Sequence, residues 1–284
     1  SGSNLHEGRS GWTIGNYAGP GPDYYLFTVS GITVEPVKGY SEFTHNSSTY
    51  RVQDVDLVAG AGTIECQRVS GASPPASSGT LTKSFGTGDA TIAFSSYVLD
   101  PGNPMWIGGQ LDFAQYLIDE SLTTPDWVGI MLGTNDVFGQ ASDAGAVSTA
   151  NTAFDNLDTI IASIKAADAN TKIALIPVPP PSNDQDAFGN NYKTSYRRWR
   201  VQRNYIIWNK KLSNRYSGEE GNRVYICPAG LNVDSVNGFP RAAAANVNSR
   251  STVQVERQSN GVHVATSGYQ QIADGIFAFL KNQV

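Results

Sequence analysis

Trp127-Val128-Gly129-Ile130-Met131-Leu132-Gly133-Thr134-Asn135-Asp136-Val137-Phe138-Gly139 is the stretch on which the fold turns. Its first half is a short apolar run, Val128 to Leu132, with Pro125 and Asp126 before it and Gly133 after it. A short apolar run between turn residues reads as a strand buried in a sheet. Its second half, Gly133-Thr134-Asn135-Asp136, puts a small polar cluster at the carboxyl end of that strand, where open α/β sheets hold their ligands. A carboxamide N–H from Asn135 at that place can donate to an oxyanion developing on a substrate. A plain Asn-Asp turn closing a strand is the other reading of the same residues.

Downstream, helix and strand patterns alternate. From about Asp143, Phe154, Leu157, Ile161 and Ile164 stand three or four apart, one helical face. Lys172 to Val178 predicts a second buried strand, stopped by Pro179-Pro180-Pro181. Residues 182–192 read as a polar loop and 193–216 as a long helix with Val201, Tyr205, Trp208, Leu212 and Tyr216 on its apolar stripe. The many Lys and Arg of that helix read as a solvated face. Arg223 to Cys227 predicts a third strand, and 229–259 reads as mostly irregular. A last helix, from about Ser267 to Asn282, is expected to bury Ile272, Ile276 and Leu280. Strands alternating with helices make this part α/β.

Upstream, Asn103-Pro104-Met105-Trp106 is an aromatic turn and Leu111 to Glu120 a predicted helix. Residues 18–98 differ in kind. Short β-rich runs at Tyr24–Glu35, Tyr50–Leu57, Thr63–Val69, Thr80–Ser84 and Ala90–Phe94 are separated by Gly/Pro turns, the mark of an all-β module. A glycan-binding, structural or lid role fits it equally. Residues 1–17 read as a loop turning into a short helix; its three glycines after Leu5 leave backbone N–H groups free to approach a ligand, or make a plain glycine loop.

The net charge of −5 and pI near 5.2 argue against a nucleic-acid partner. No apolar run reaches the roughly 18 residues that span a bilayer. Cys66 and Cys227 fit no metal-ligand spacing, so neither a metal, a cofactor nor a disulfide framework is expected. The chain opens on Ser1-Gly2 without a methionine, so a processed or missing leading segment is expected. Of His6, His45 and His263, the last sits in Asn260-Gly261-Val262-His263, just before the final helix. From there a neutral imidazole can face the strand tips as a general base.

Three blocks, H-E-G-R-S-G-W-T from His6, L-G-T-N-D from Leu132 and N-G-V-H-V-A-T-S-G-Y-Q-Q-I-A-D from Asn260, resemble in order the second, third and fifth blocks of the SGNH (GDSL-like) hydrolases. The resemblance implies a three-layer flavodoxin-like fold with a parallel sheet in the order 2-1-3-4-5, made by residues 1–17 and 99–284. The β module at 18–98 would be an insertion, similar to one in bacteroidal and phage members. It implies a serine esterase, commonly a sugar deacetylase. Gly8 would supply a backbone oxyanion N–H, Asn135 a side-chain donor and His263 the base. Arg9, Ser10 and Trp106 are the candidate substrate contacts, and an acylated glycan the substrate. An extracellular, cell-surface or virion setting is expected over a cytoplasmic one.

Two departures stand out. The family places an acid where this chain has Asn260; an amide orients imidazole but stabilises imidazolium less than a carboxylate. Asp234, a serine–histidine dyad or a backbone carbonyl are the alternatives. Second, the nucleophile block is absent, Gly88-Asp89-Ala90 being the nearest look-alike. The serine is therefore expected on an N-terminal fragment that also fills two strand positions beside residues 128–132. Without such a fragment, those residues would form an exposed apolar edge. A non-catalytic glycan-binding or structural module, as in a phage tail or surface adhesin, is the rival reading. A nucleotide-binding domain has no phosphate-cradling glycine loop to support it.

Overall fold

The computed structural model describes residues 12–21, 23–38, 40–71, 75–100, 102–192 and 196–283, without side chains at 100 and 189–191. Gly8, Arg9 and Ser10, with His6, lie outside the described residues. The chain divides into two compact units, Ser1–Trp12 with Asn16–Tyr116, and Thr13–Gly15 with Leu117–Val284. A short helix, α1 (Ile14–Ala18), leads from the second unit into the first.

The first unit is built on six antiparallel strands: β1 (Tyr24–Ser30), β2 (Glu42–His45), β3 (Ser48–Val58), β4 (Ala61–Ser70), β5 (Gly79–Phe85) and β6 (Thr91–Asp100). They close into a barrel in the order β1-β4-β3-β2-β5-β6. Closure leaves no unpaired strand edge. Strand alternation turns Phe27, Phe43, Tyr50, Val52, Ile64, Cys66 and Leu81 inward, where all are fully buried. Five strands were expected. The sixth, β2, turns into β3 through Asn46-Ser47, both with positive φ (54° and 63°), a tight hairpin without the usual glycine signal. His45 holds this region together: its Nδ1 bonds the Thr80 carbonyl at 2.9 Å and its Nε2 accepts the Ala76 N–H at 3.3 Å. Asp89, in the serine-less look-alike, is a loop clamp that accepts the Thr33 N–H at 2.7 Å and hydroxyl at 2.6 Å. A small hairpin, β7 (Trp106–Ile107) and β8 (Gln110–Leu111), and the start of α2 (Phe113–Asp119) complete the unit.

The second unit carries β9 (Trp127–Ile130), α3 (Thr134–Val137), α4 (Asp143–Ala167), β10 (Lys172–Leu175), α5 (Gln185–Tyr192), α6 (Arg198–Tyr216), β11 (Val224–Ile226), the hairpin β12 (Ala245–Asn248) and β13 (Ser251–Val255), and α7 (Thr266–Lys281). Its sheet is parallel, in the order β11-β10-β9. Ala174 and Ile176 pack with Ile276 and Phe279 of α7 on one face, where Trp127 and Tyr225 also meet the Phe279 ring. Ile173 and Leu175 point the other way and are fully buried. α4 and α6 pack on each other, with Phe154 against Trp208 at 4.6 Å, and α6 reaches β11.

Two expectations need correcting here. The segment 182–192 contains a helix, α5, because Ala187 and Phe188 are fully buried under the loop at Gly261, a contact that polarity alone hides. Residues 229–259 are mostly irregular, as expected, and also hold the β12–β13 hairpin and the end of a 3-10 turn at Pro228–Asn232. In α7 only Ile272 and Gly268 are fully buried; Ile276 and Leu280 are half-buried, while Tyr269 and Phe277 are 54% and 69% exposed. The basic residues of α6 do lie on a solvated, ion-paired face: Arg200 and Arg203 hold Asp143, and Arg215 holds Asp155 and Asp158. Among the described residues, no helix is long and apolar enough to cross a membrane.

Candidate functional site

The chain leaves β9 through Met131 and Leu132 and turns at Gly133, whose φ of +122° is in the region that favours glycine. A side chain there would also strike the Trp208 indole, 2.1 Å from the place of its Cβ. The backbone therefore rests directly on α6 and starts α3 at once. Asn135 is exposed on that helical turn, at the carboxyl end of the strand. Val137 is buried, and the Asn204 side chain, itself fully buried on α6, donates to the carbonyls of Val137 at 2.9 Å and Gln140 at 2.8 Å. The turn that carries Asn135 is thus clamped from below.

Asp136 points inward. Its carboxylate accepts the Ile14 N–H, 3.2 and 3.3 Å from its two oxygens, and so ties the segment Thr13–Gly15 to the strand tip. Burial pushes its carboxyl up to about 6, against the opposing pull of that N–H and of its own backbone N–H. Past α3, Phe138 stacks on Tyr196 (4.7 Å, 22°) and meets Tyr192 at 4.9 Å.

Tyr192 leads to the second half of the site. Its hydroxyl donates to Asn260 Oδ1 at 3.2 Å, and the same oxygen accepts the N–H groups of Val262 at 2.9 Å and His263 at 2.8 Å. Gly261 lies flat on the Phe188 ring, 2.8 Å from where its Cβ would stand, and its carbonyl accepts the Ser182 N–H at 3.0 Å. His263 leaves this pinned loop exposed, just before α7. The amide oxygen of Asn260 is engaged by its own loop and by Tyr192. Asp234 has the same kind of occupation: it accepts the N–H groups of Val236 and Asn237 and the Asn237 amide, which hold its carboxyl below the usual range.

Contacts run from Phe138, at the end of the turn that bears Asn135, through Tyr192 to Asn260 and the backbone N–H of His263, all within the second unit. Trp106 stands in the first unit, half-buried and paired with Leu111 across the β7–β8 hairpin. Asp136, Phe138, Tyr192 and Asn204 were not singled out from the sequence. Asn204 had a legible signal, a polar residue on the apolar stripe between Val201 and Trp208. Asp136 lay in the polar cluster after the strand, without a sign of its inward role, and Phe138 and Tyr192 had no signal. A recess of about 680 Å³ opens at the other end of the sheet, by Asp158, Lys165 and Arg215, but its cations are held by Asp155, Asp158 and the Thr171 carbonyl. No cluster of three or more His, Cys, Asp or Glu among the described residues could hold a metal ion.

Comparison with known proteins bears on this arrangement. The profile described as the GDSL-like Lipase/Acylhydrolase family matches residues 76–207, a span that includes Asn135 and stops short of His263. No curated protein matches the chain. Among solved structures, similarity is found to a protein provisionally described as a platelet activating factor from Streptococcus pneumonia, at 17% identity and a TM-score of 0.36, covering 59% of this chain and 67% of that one. A peptidoglycan O-acetylesterase is similar at 15% identity and 0.33, covering 92% and 64%. The salicylyl-acyltransferase SsfX3 from a tetracycline biosynthetic pathway is similar at 12% and 0.33, covering 93% and 80%. The profile match covers 132 of the 284 residues, and over that span the chain is similar to the GDSL-like lipase/acylhydrolase family.

Proposed function

We propose that the protein is an SGNH-type serine esterase that removes acyl groups from carbohydrate. In this reading Asn135 donates to the tetrahedral oxyanion together with the Gly8 N–H, and His263 takes the proton of the attacking serine and returns it to the leaving alcohol. Arg9, Ser10 and Trp106 contact the acylated glycan. The observation that carries the reading is the continuous run of contacts from the α3 turn through Phe138, Tyr192 and Asn260 to the His263 backbone.

The serine comes, in this proposal, from a strand-bearing segment that pairs along β9 and completes a flavodoxin-like sheet, with the barrel as an insertion. Among the described residues β9 pairs only with β10. On the α7 side of the sheet Gly129 is exposed and Met131 is 38% exposed, next to a helix that leaves Tyr269 and Phe277 in solvent. An edge strand and a half-covered helix on the same face are what a further strand and helix would cover.

The native protein should release acetate from 4-nitrophenyl acetate and from an O-acetylated oligosaccharide, and His263→Ala should lower the rate by about 100-fold or more. Equal rates with and without His263 would reject the proposal. Glycan binding without turnover by the wild type would put a non-catalytic binding module in its place.

A further inference from the structure

We infer that Tyr192 is the positioning residue of the site: its hydroxyl and ring together set where His263 stands relative to Asn135. For its catalytic consequence this rests on the esterase reading above. The argument begins with the loop. Asn260 Oδ1 gathers the N–H groups of Val262 and His263, which fixes the turn only if the amide keeps its rotamer. The side-chain donor to that oxygen is the Tyr192 hydroxyl at 3.2 Å. Burial raises the Tyr192 phenol, so it keeps its proton and remains a donor through the neutral range.

The ring does the second half. It lies 4.9 Å from Phe138, the residue that caps α3, and Asn135 stands three positions earlier on that turn. On its own helix it neighbours Phe188, at 6.3 Å, the ring on which Gly261 rests. One side chain therefore touches the turn that bears the candidate oxyanion donor and the loop that bears the candidate base. Productive geometry must hold to about 0.5 Å, and a group that acts through others in this way lowers turnover without touching substrate. The chain also explains how the loop is fixed with an amide in the place of the family's acid: Asn260 is oriented by Tyr192 and spends its oxygen on the backbone.

The test compares Tyr192→Phe with Tyr196→Phe, which removes a hydroxyl from the same aromatic cluster. Amide hydrogen exchange at Val262 and His263 is measured by NMR, and ester hydrolysis by the native protein supplies kcat and KM. Tyr192→Phe should speed exchange at both amides about fivefold, the factor for one neutral hydrogen bond. It should lower kcat about tenfold with KM within about twofold, since misplacement acts on the reacting geometry and not on ground-state binding. Tyr196→Phe should move neither. Unchanged exchange in Tyr192→Phe overturns the inference, and so does faster exchange with unchanged kcat. If the wild type hydrolyses no ester, the esterase reading fails by itself, and exchange alone decides the positioning: acceleration supports it, none overturns it.

Discussion

Replacing Asp136 by Asn should make the second unit more stable at neutral pH, and the size of the gain can be worked from the structure. The carboxyl titrates near 6 in the folded protein against 3.8 for an unperturbed group. At about 1.4 kcal/mol per pH unit, that separation corresponds to about 3 kcal/mol. The sign follows from proton binding. Between about pH 4 and 6 the folded state holds the Asp136 proton and the unfolded chain has released it, so stability falls as pH rises through that window and is flat above it. Below about pH 4 both states are protonated and the cost vanishes. Asn imitates the protonated form and can still accept the Ile14 N–H. The variant should therefore match the wild type near pH 4 and exceed it by about 3 kcal/mol at pH 7. Other carboxyls, among them Asp143 and Asp234, are held below their usual range and slope the opposite way, but they are common to both proteins and cancel in the difference. Urea unfolding followed through tryptophan fluorescence at several pH values measures it, with the signal of the second unit resolved from that of the barrel. A difference that is independent of pH, or a variant less stable at pH 7, would refute the reasoning.

Gly133→Ala should cost about 2–5 kcal/mol in urea unfolding, since it adds an unfavourable φ to a methyl group overlapping the Trp208 ring. Gly261→Ala should loosen the His263 loop by contact with Phe188, and the double variant with Phe188→Leu should recover part of the loss; strict additivity would argue against the contact. Phe27→Ala, at a fully buried barrel position, should lower the stability of that unit by about 3–5 kcal/mol, read from its own unfolding transition.

What the sequence determined by itself was whatever short-range periodicity encodes. Alternation in Thr63–Val69 and the apolar run at Lys172–Val178 place β4 and β10 because each strand carries its own burial pattern, and the same holds for the stripe of α4. The blocks at Leu132 and Asn260 also marked Asn135, Asn260 and His263 as residues of interest, since short motifs keep their spacing. The tertiary structure decided the rest. The closure of six strands into a barrel, the helix at Gln185–Tyr192 and the engagement of Asn260 by Tyr192 each depend on partners far along the chain. Asp136 and Ile14 are 122 residues apart, and nothing near either one announces the other. Apolar burial has a local period that a sequence displays, whereas a polar side chain acquires its role from whichever distant N–H or hydroxyl the packed chain brings within hydrogen-bonding reach.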